Sequence, residues 1–416
     1  MWNNLVEKAM SLSWLTPVRV QRIAVCCALL SALFLVMDVL NHDKCGGLLD
    51  RHGEVLGRDF ANYWSGAQLA AAKKTEIVYD IRAFHAFQEA HVAPEKELRW
   101  YAYSPVALLL SLPIAVFGYL PGLIFWQLAG GLVCGVILAR LVGWRLAVPL
   151  VVAPPASYFN AVAGQNGAFT AALMAGGIML LRRRPVIAGI LFGAMCFKPQ
   201  LALLIPVALA GGGYWRSLVT FVVTGIVLFA ASVAFFGQKA WVAYTKIAPN
   251  NLAILQSVDL NWHRMPSVYV MARTFGMSSL TAFGVQGLSS LVVSAVVFVI
   301  WKKEISILIK GAALVIGTFL ATPYAWDYDM VMITFATVFF FTGKETTSRF
   351  EKLAVVTAML VPLLALIIAN KTGLQLGPLA IGAAMWAIVA PLVPPVLRCD
   401  LRKGARMAPA KSASEM

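Results

Sequence analysis

"VALLLSLPIAVFG", residues 106–118, is the stretch on which the topology turns. It is apolar, but its thirteen residues are too few to cross a hydrocarbon core upright, which takes about 20, and Pro113 interrupts it. If it crosses, every later connection changes side. If it turns back, the even-numbered connections join the N-terminus on one side, with Arg140, Arg145, Arg182, Arg183, Arg184, Arg216, Lys302, Lys303, Lys310, Lys344, Arg349 and Lys352. That side then holds 20 basic and 6 acidic residues, and the other 14 and 13. A crossing would move Arg140, Arg145 and the Arg182–Arg184 run across and weaken the bias. The positive-inside rule therefore predicts a juxtamembrane or re-entrant segment at 106–118, about twelve spans, and both termini in the cytoplasm.

The rest of the chain sets the class. Of 416 residues, 60% are hydrophobic and 13% charged, against about 25% charged in a soluble domain. Only helices satisfy their own backbone in lipid as single segments, so the fold expected is an all-α polytopic membrane protein. The candidate spans are 22–39, 121–139, 146–161, 167–181, 186–197, 200–211, 217–236, 281–300, 311–321, 330–342, 352–369 and 376–397. Several are short, which is tolerated inside a bundle or along a cavity. Residues 1–397 read as one membrane domain with outer loops at about 40–120 and 237–280, and 398–416 as a cytoplasmic basic tail. The first apolar stretch, from Ile23 to Val39, has no small-residue cleavage site before Asn41 and reads as a retained helix. The net charge of +15 is explained by topology, without a nucleic-acid partner. The six cysteines show no metal or disulfide spacing, and the expectation for them is small buried hydrophobes.

The first outer loop holds "DFANYWSGAQLAAAKK" from Asp59, whose acidic start and basic end suit the helix dipole. It is followed by the amphipathic "DIRAFHAFQEAH", which reads as an interfacial helix, and by Trp100, Tyr101 and Tyr103, which read as an aromatic belt.

Five polar clusters sit at the outer ends of spans. Asp59, between Arg58 and Phe60 and followed by Tyr63 and Trp64, is either a helix N-cap or a general base beside aromatics that stack on sugars. In "GQNGAF", Gln165 and Asn166 either satisfy helix ends or bind sugar hydroxyls, with glycines allowing close approach. Lys198 in "CFKPQ" snorkels, binds a phosphate at the following helix start, or pairs internally; phosphate is the preferred reading. "DLNWHRMPS" brings Asp259, Asn261, Trp262, His263 and Arg264, a polar turn or a phosphate and sugar contact. "TPYAWDYD" sets Tyr324 and Trp326 beside Asp327 and Asp329, a helix break or a sugar-recognition surface. No Gly-rich nucleotide loop, HExxH or Cys/His metal set is present, so neither a cofactor nor a metal is expected.

The order "GRDFANYWSGAQLA…IVYD", "YAYSPVALLLSLPIAVFG", "GQNGAFTAALMAGG…RRRPVIAGILFGAMCFKPQLALLIPVAL" and "TPYAWDYD" resembles the polyprenyl-phosphate-sugar-dependent membrane glycosyltransferases of family 87. The resemblance implies a GT-C fold and inverting transfer of a sugar, mannose as first guess, from a polyprenyl-phosphate donor to an extracytoplasmic lipid or glycan acceptor. It implies Asp59 as base, with the active site on the periplasmic or extracytoplasmic face of a cell inner membrane. Lys198, His263 and Arg264 are then the candidates for the donor phosphate. Arg58, Tyr63, Trp64, Gln165, Asn166, Trp262, Tyr324, Trp326, Asp327 and Asp329 are the candidates for sugar or acceptor. Where some relatives carry a histidine after the late tryptophan, this chain has Asp327, Tyr328 and Asp329. The alternative is a transporter or flippase of a lipid-linked sugar, which would carry its polar residues at mid-span; a structural envelope protein would lack the convergent charges.

Overall fold

The computed structural model describes residues 16–44, 47–94, 98–256 and 262–392, and among them all regular structure is helical apart from an isolated bridge between Leu49 and Val55. The elements used below are α1 (Pro17–Lys44), α2 (Phe60–Ala71), α3 (Ile81–His91), α4 (Pro105–Ser111), α5 (Tyr119–Val142), α6 (Trp144–Val152), α7 (Pro155–Val162), α8 (Gly167–Leu180) and α9 (Pro185–Ala194). They continue with α10 (Pro199–Ala202), α11 (Ile205–Gly211), α12 (Trp215–Gln256), α13 (Val268–Thr274), α14 (Ser279–Lys302), α15 (Ile307–Ala321), α16 (Val331–Gly343), α17 (Arg349–Thr372) and α18 (Gly377–Val389). Among the described residues five helices are long and apolar enough to cross a membrane, within α1, α5, α12, α14 and α17, and six shorter apolar helices accompany them. The chain is a multi-pass, all-α membrane protein.

Several expected spans are subdivided. Residues 146–161 divide before Pro155 into α6 and α7, and 200–211 into α10 and α11, with prolines at or near the new helix starts. The span expected at 217–236 runs on as α12 beyond a break at Gly237, whose φ of +78° reverses the helix. Past the break Trp241 returns to Phe229 and donates to the Ser232 hydroxyl at 3.0 Å. The 106–118 segment is α4 followed by a 3-10 turn, Leu112–Val116, which takes in Pro113. The tail and Asp259 and Asn261 lie outside the described residues.

The interior is built on α15 and α16. Almost every residue of both is buried, which suits helices apolar on all sides at the centre of a bundle. Small residues let neighbours approach: a Cβ at Gly189 or Gly193 of α9 would fall 2.6 Å from atoms of α12. Lys310 is buried on α15, and its ammonium donates to the Trp301 carbonyl at 2.7 Å, capping the end of α14. Two expectations change here. Cys26 and Cys27 face out of the bundle instead of being buried. Tyr101 is no belt residue; it is fully buried among Tyr79, Phe84 and Tyr103, against α3.

The polar clusters converge because they sit at helix junctions sharing one end of the bundle. Asp59 precedes α2, "GQNG" joins α7 to α8, Lys198 precedes α10, and 322–330 joins α15 to α16. The join is tight at Gly164, where φ is +60° and a Cβ would fall 2.5 Å from both the Gly57 carbonyl and Phe60. Gly164→Ala is expected to destabilise the protein by about 1–3 kcal/mol, read as a lowered thermal midpoint in detergent, whereas Gly225→Ala, with no atom near its added Cβ, leaves the midpoint unchanged or raises it.

Candidate active site

Asp59 occupies the N-cap position of α2, yet its side chain makes no cap hydrogen bond. Two turns of backbone aim it elsewhere. Gly57 (φ +80°) and Arg58 (φ +36°) are both left-handed, a conformation costing a non-glycine residue about 1–3 kcal/mol and held only by its surroundings. Thus directed, Asp59 Oδ2 accepts from Gln165 Nε2 at 2.9 Å and Oδ1 from Arg99 Nη1 at 3.3 Å. Its carboxylate retains 28% exposure, into a cleft of about 630 Å³.

Gln165 is the hub of the network behind it. Its amide also donates to the Tyr103 hydroxyl at 3.1 Å, its carbonyl accepts from the Tyr63 hydroxyl at 2.8 Å, and Asn166 donates to the same Tyr63 oxygen at 2.8 Å. Burial first, and then the Asp59 charge, hold the Tyr103 phenol well above its ordinary pKa, so it stays a neutral donor. Tyr63 and Trp64 do not line the cleft: Tyr63 is committed to this network, and Trp64 donates to the Phe117 carbonyl at 2.9 Å. They pack beneath Asp59, away from the cleft, so they are not placed for the expected ring stacking on a ligand.

Arg99 was not foreseen. It joins Asp59 to Glu54, with Nη2 2.7 Å from Glu54 Oε2, while Arg58 approaches Glu54 only to 4.0 Å. Glu54 is held in turn by an Asx turn, in which Asp50 Oδ1 accepts from the His52 and Glu54 amides at 2.8 and 3.0 Å. Nothing periodic marks these loop residues; the only signal was that acids and arginines share one outer loop.

The opposite wall comes from 262–264 and 322–330. Arg264 grips Asp327 with two bonds, Nε to Oδ2 at 2.8 Å and Nη2 to Oδ1 at 3.1 Å, leaving Nη1 outside the pair. Lys198 and Asp329 form a 2.6 Å ion pair with both side chains almost fully buried. Of the three arrangements open to Lys198, the internal pair is the one found. Asp327 and Asp329 therefore do not face the cleft; Trp326, Tyr328 and Tyr324 do, with Trp326 and Tyr328 stacked at 5.9 Å. Lys198 and Arg264 lie 5.1 and 5.9 Å from the centre of the Tyr328 ring. Burial, and then Arg264, lower the pKa of His263, so its ring is neutral at neutral pH. Trp262 stays out of the cleft, and Gln375 fastens its turn by donating to the Trp262 and His263 carbonyls at 3.1 and 2.9 Å.

These aromatics are a partition. Tyr103, Tyr324, Trp326 and Tyr328 border the Asp59 cleft on one side and, on the other, a second cavity of about 330 Å³ lined also by Lys198, Pro199, Asn251 and Leu252. Carboxylate, stacked rings and guanidinium around one cleft can bind a sugar, take a hydroxyl proton and oppose phosphate charge. Among the described residues no group of three or more His, Cys, Asp or Glu is arranged to hold a metal ion.

The model of glycosyltransferase family 87 matches residues 101–323, more than half of the chain. The protein belongs to that family. It is a membrane glycosyltransferase, and within the match lie Tyr103, Gln165, Lys198 and Arg264, whereas Asp59, Arg99 and Asp329 fall outside it. No curated protein and no solved structure matches the chain.

For the buried pair, Lys198→Met or Asp329→Asn alone is expected to cost about 3–5 kcal/mol, because each leaves an uncompensated buried group. The double variant is expected to recover a large part of that loss. A double-variant cycle of unfolding in detergent checks it; additive losses would mean that the two charges do not stabilise each other.

Proposed function

We propose that this family member transfers a sugar, mannose first among the candidates, from a polyprenyl-phosphate donor to a hydroxyl of a lipid or glycan acceptor. The observation carrying the proposal is the Asp59 carboxylate, open to the cleft and held by Arg99 and Gln165 opposite the Arg264 guanidinium. The acceptor oxygen attacks the anomeric carbon while its proton passes to Asp59. The bond from that carbon to the phosphate oxygen breaks, and polyprenyl phosphate leaves with the electron pair. One displacement inverts the anomeric configuration.

The leaving monoester gains negative charge, and Nη1 of Arg264 is the donor best placed for it. His263, neutral beside it, offers a hydrogen bond without adding a cation. Lys198 acts through the second cavity, sharing its ammonium between Asp329 and an incoming phosphate. Tyr324, Trp326 and Tyr328 supply ring faces for the sugar. Arg58 lines the same cleft and is available to acceptor hydroxyls.

The charge bias supports twelve crossings in a GT-C-like arrangement, cytoplasmic termini, and a cleft on the extracytoplasmic face of a cell inner membrane. A carrier of lipid-linked sugars would need its polar groups at mid-span, and here they gather at one end.

The test is transfer from radiolabelled polyprenyl-phosphate mannose by the purified protein in nanodiscs, with a membrane extract as acceptor pool. Asp59→Asn is expected to lower turnover by at least the 10²–10⁴-fold of about one lost general base, with donor binding nearly intact. Glu54→Gln, which acts only through Arg99, is expected to cost much less. Full turnover in Asp59→Asn would remove Asp59 as base, and a larger loss in Glu54→Gln would transfer that role to Glu54. If no member of a panel of polyprenyl-phosphate sugars is consumed, the donor class is wrong.

In the same assay Arg264→Lys is expected to keep the charge but lose the two-bond grip on Asp327, lowering kcat more than it raises the donor KM. An unchanged kcat would exclude Arg264 from leaving-group stabilisation.

A further inference from the structure

A cavity of about 450 Å³ lies in the body of the bundle, distinct from both spaces at the candidate site. Its walls are almost wholly apolar, with Leu35 of α1, Gly131 and Leu132 of α5, Val151 of α6 and Phe335 of α16 among them. Leu128 and Leu132, which also line it, are 68% and 64% exposed. In a membrane bundle such exposure is to lipid, so the cavity adjoins the hydrocarbon.

Its polar side chains are few, Gln127, Ser157, Tyr158, Asn160 and Thr334, and the two amides are bonded to each other. Asn160 donates to Gln127 at 3.3 Å and accepts from the Gly167 amide at 2.7 Å. Thr334 is buried and its hydroxyl has no partner among the described residues, not even the carbonyl one turn back that a helical threonine commonly uses. An apolar space with a few scattered hydroxyls suits an aliphatic chain carrying an occasional oxygen; a sugar or an ion would find too few partners.

The cavity is tied to the base through α7. Phe159 within that helix and Ala163 just past its end border the Asp59 cleft, while Tyr158 and Ala161 border this cavity. Two residues beyond Ala163 stands Gln165, which holds Asp59. The nucleophile must lie beside the base, so the chain running behind α7 belongs with the nucleophile. The second cavity at Lys198 lies across the aromatic partition from Asp59.

We infer that the cavity holds a chain of the acceptor, which is therefore a membrane lipid: its hydroxyl-bearing head reaches Asp59 and one aliphatic chain lies between α5, α7 and α16. This rests on the transferase reading for the acceptor's role, but the chain site itself is testable without turnover.

The probe is a diacylglycerol with a diazirine at one acyl end, photolysed in nanodiscs with the full-length protein and mapped by peptide mass spectrometry. Labelling of residues 127–138 and 151–161 is expected to be saturable by unlabelled diacylglycerol. It is expected to be lost in Gly131→Leu, where an added Cβ meets only Val151, at 3.5 Å, and the rest of the side chain enters the cavity. Ala161→Leu obstructs the facing wall and is expected to act alike, so misfolding of one variant does not decide the matter. In turnover, both variants are expected to raise KM for a long-chain lipid acceptor while leaving the donor KM and transfer to a chain-free acceptor analogue unchanged. Labelling that does not saturate, or that survives both obstructions, identifies surrounding lipid and overturns the site. A raised donor KM assigns the chain to the donor and overturns the acceptor role. Saturable, obstructable labelling in a protein that transfers no sugar keeps the chain site and removes the acceptor with the transferase reading.

Discussion

The ion pair between Lys198 and Asp329 is the constraint on which the site's geometry depends. Two charges taken into an apolar bundle each forfeit several kcal/mol of hydration, recovered only with good geometry and further hydrogen bonds. Asp329 supplies these: one oxygen takes the ammonium at 2.6 Å and the other the Trp326 amide at 3.1 Å. The pair thereby joins the start of α10 to the turn between α15 and α16, the two helices at the centre of the bundle. Tyr328 is left with cations near its ring, and Trp326 stacks against it. Breaking the partition between the two cavities would strand a buried charge.

From the other side Asp59 is set by backbone. Gly164 lets the 164–166 turn press on Gly57 and Phe60, and a Cβ at Gly167 would collide with the Tyr328 carbonyl. The same turn therefore touches the loop that carries Asp59 and the wall that carries Trp326. Gln165, at its centre, has both amide hydrogens and its carbonyl committed to Asp59, Tyr103 and Tyr63. Distance across the cleft is thus controlled by one turn of close-packed glycines.

Much of this was legible because helix ends announce themselves. Asp59, Gly167 and Pro199 mark helix starts, and charge bias places them at one end, so their convergence follows from the sequence. Helix identity was equally plain, though breaks before Pro155 and at Gly237 depend on packing that a hydropathy pattern does not record. The partner relations were not legible. Arg99 lies forty residues from Asp59 in a loop without periodicity, and Gln375 reaches the 262–264 turn from more than a hundred residues away. Tyr63 and Trp64 misled for a different reason. Aromatics next to an acid are suitable for stacking on a ligand and for packing a core, and only their positions on α2 decide between the two.

The charge arrangement bears on how such a site would accelerate transfer. Arg264 and Lys198 are each paired with an aspartate, so a phosphodiester donor of the proposed kind, arriving with one negative charge, would find neither of these two cations unpaired. A free cation would hold the donor's ground state as firmly as the transition state, which lowers KM without raising kcat. A guanidinium already gripped at two nitrogens presents Nη1 in a fixed direction, with no reorganisation left to occur. Its field matters most as the leaving oxygen acquires its second charge. On the proposed mechanism Asp327 would work by holding the guanidinium still, and the pairing that seems to spend the cation would reserve it for the transition state.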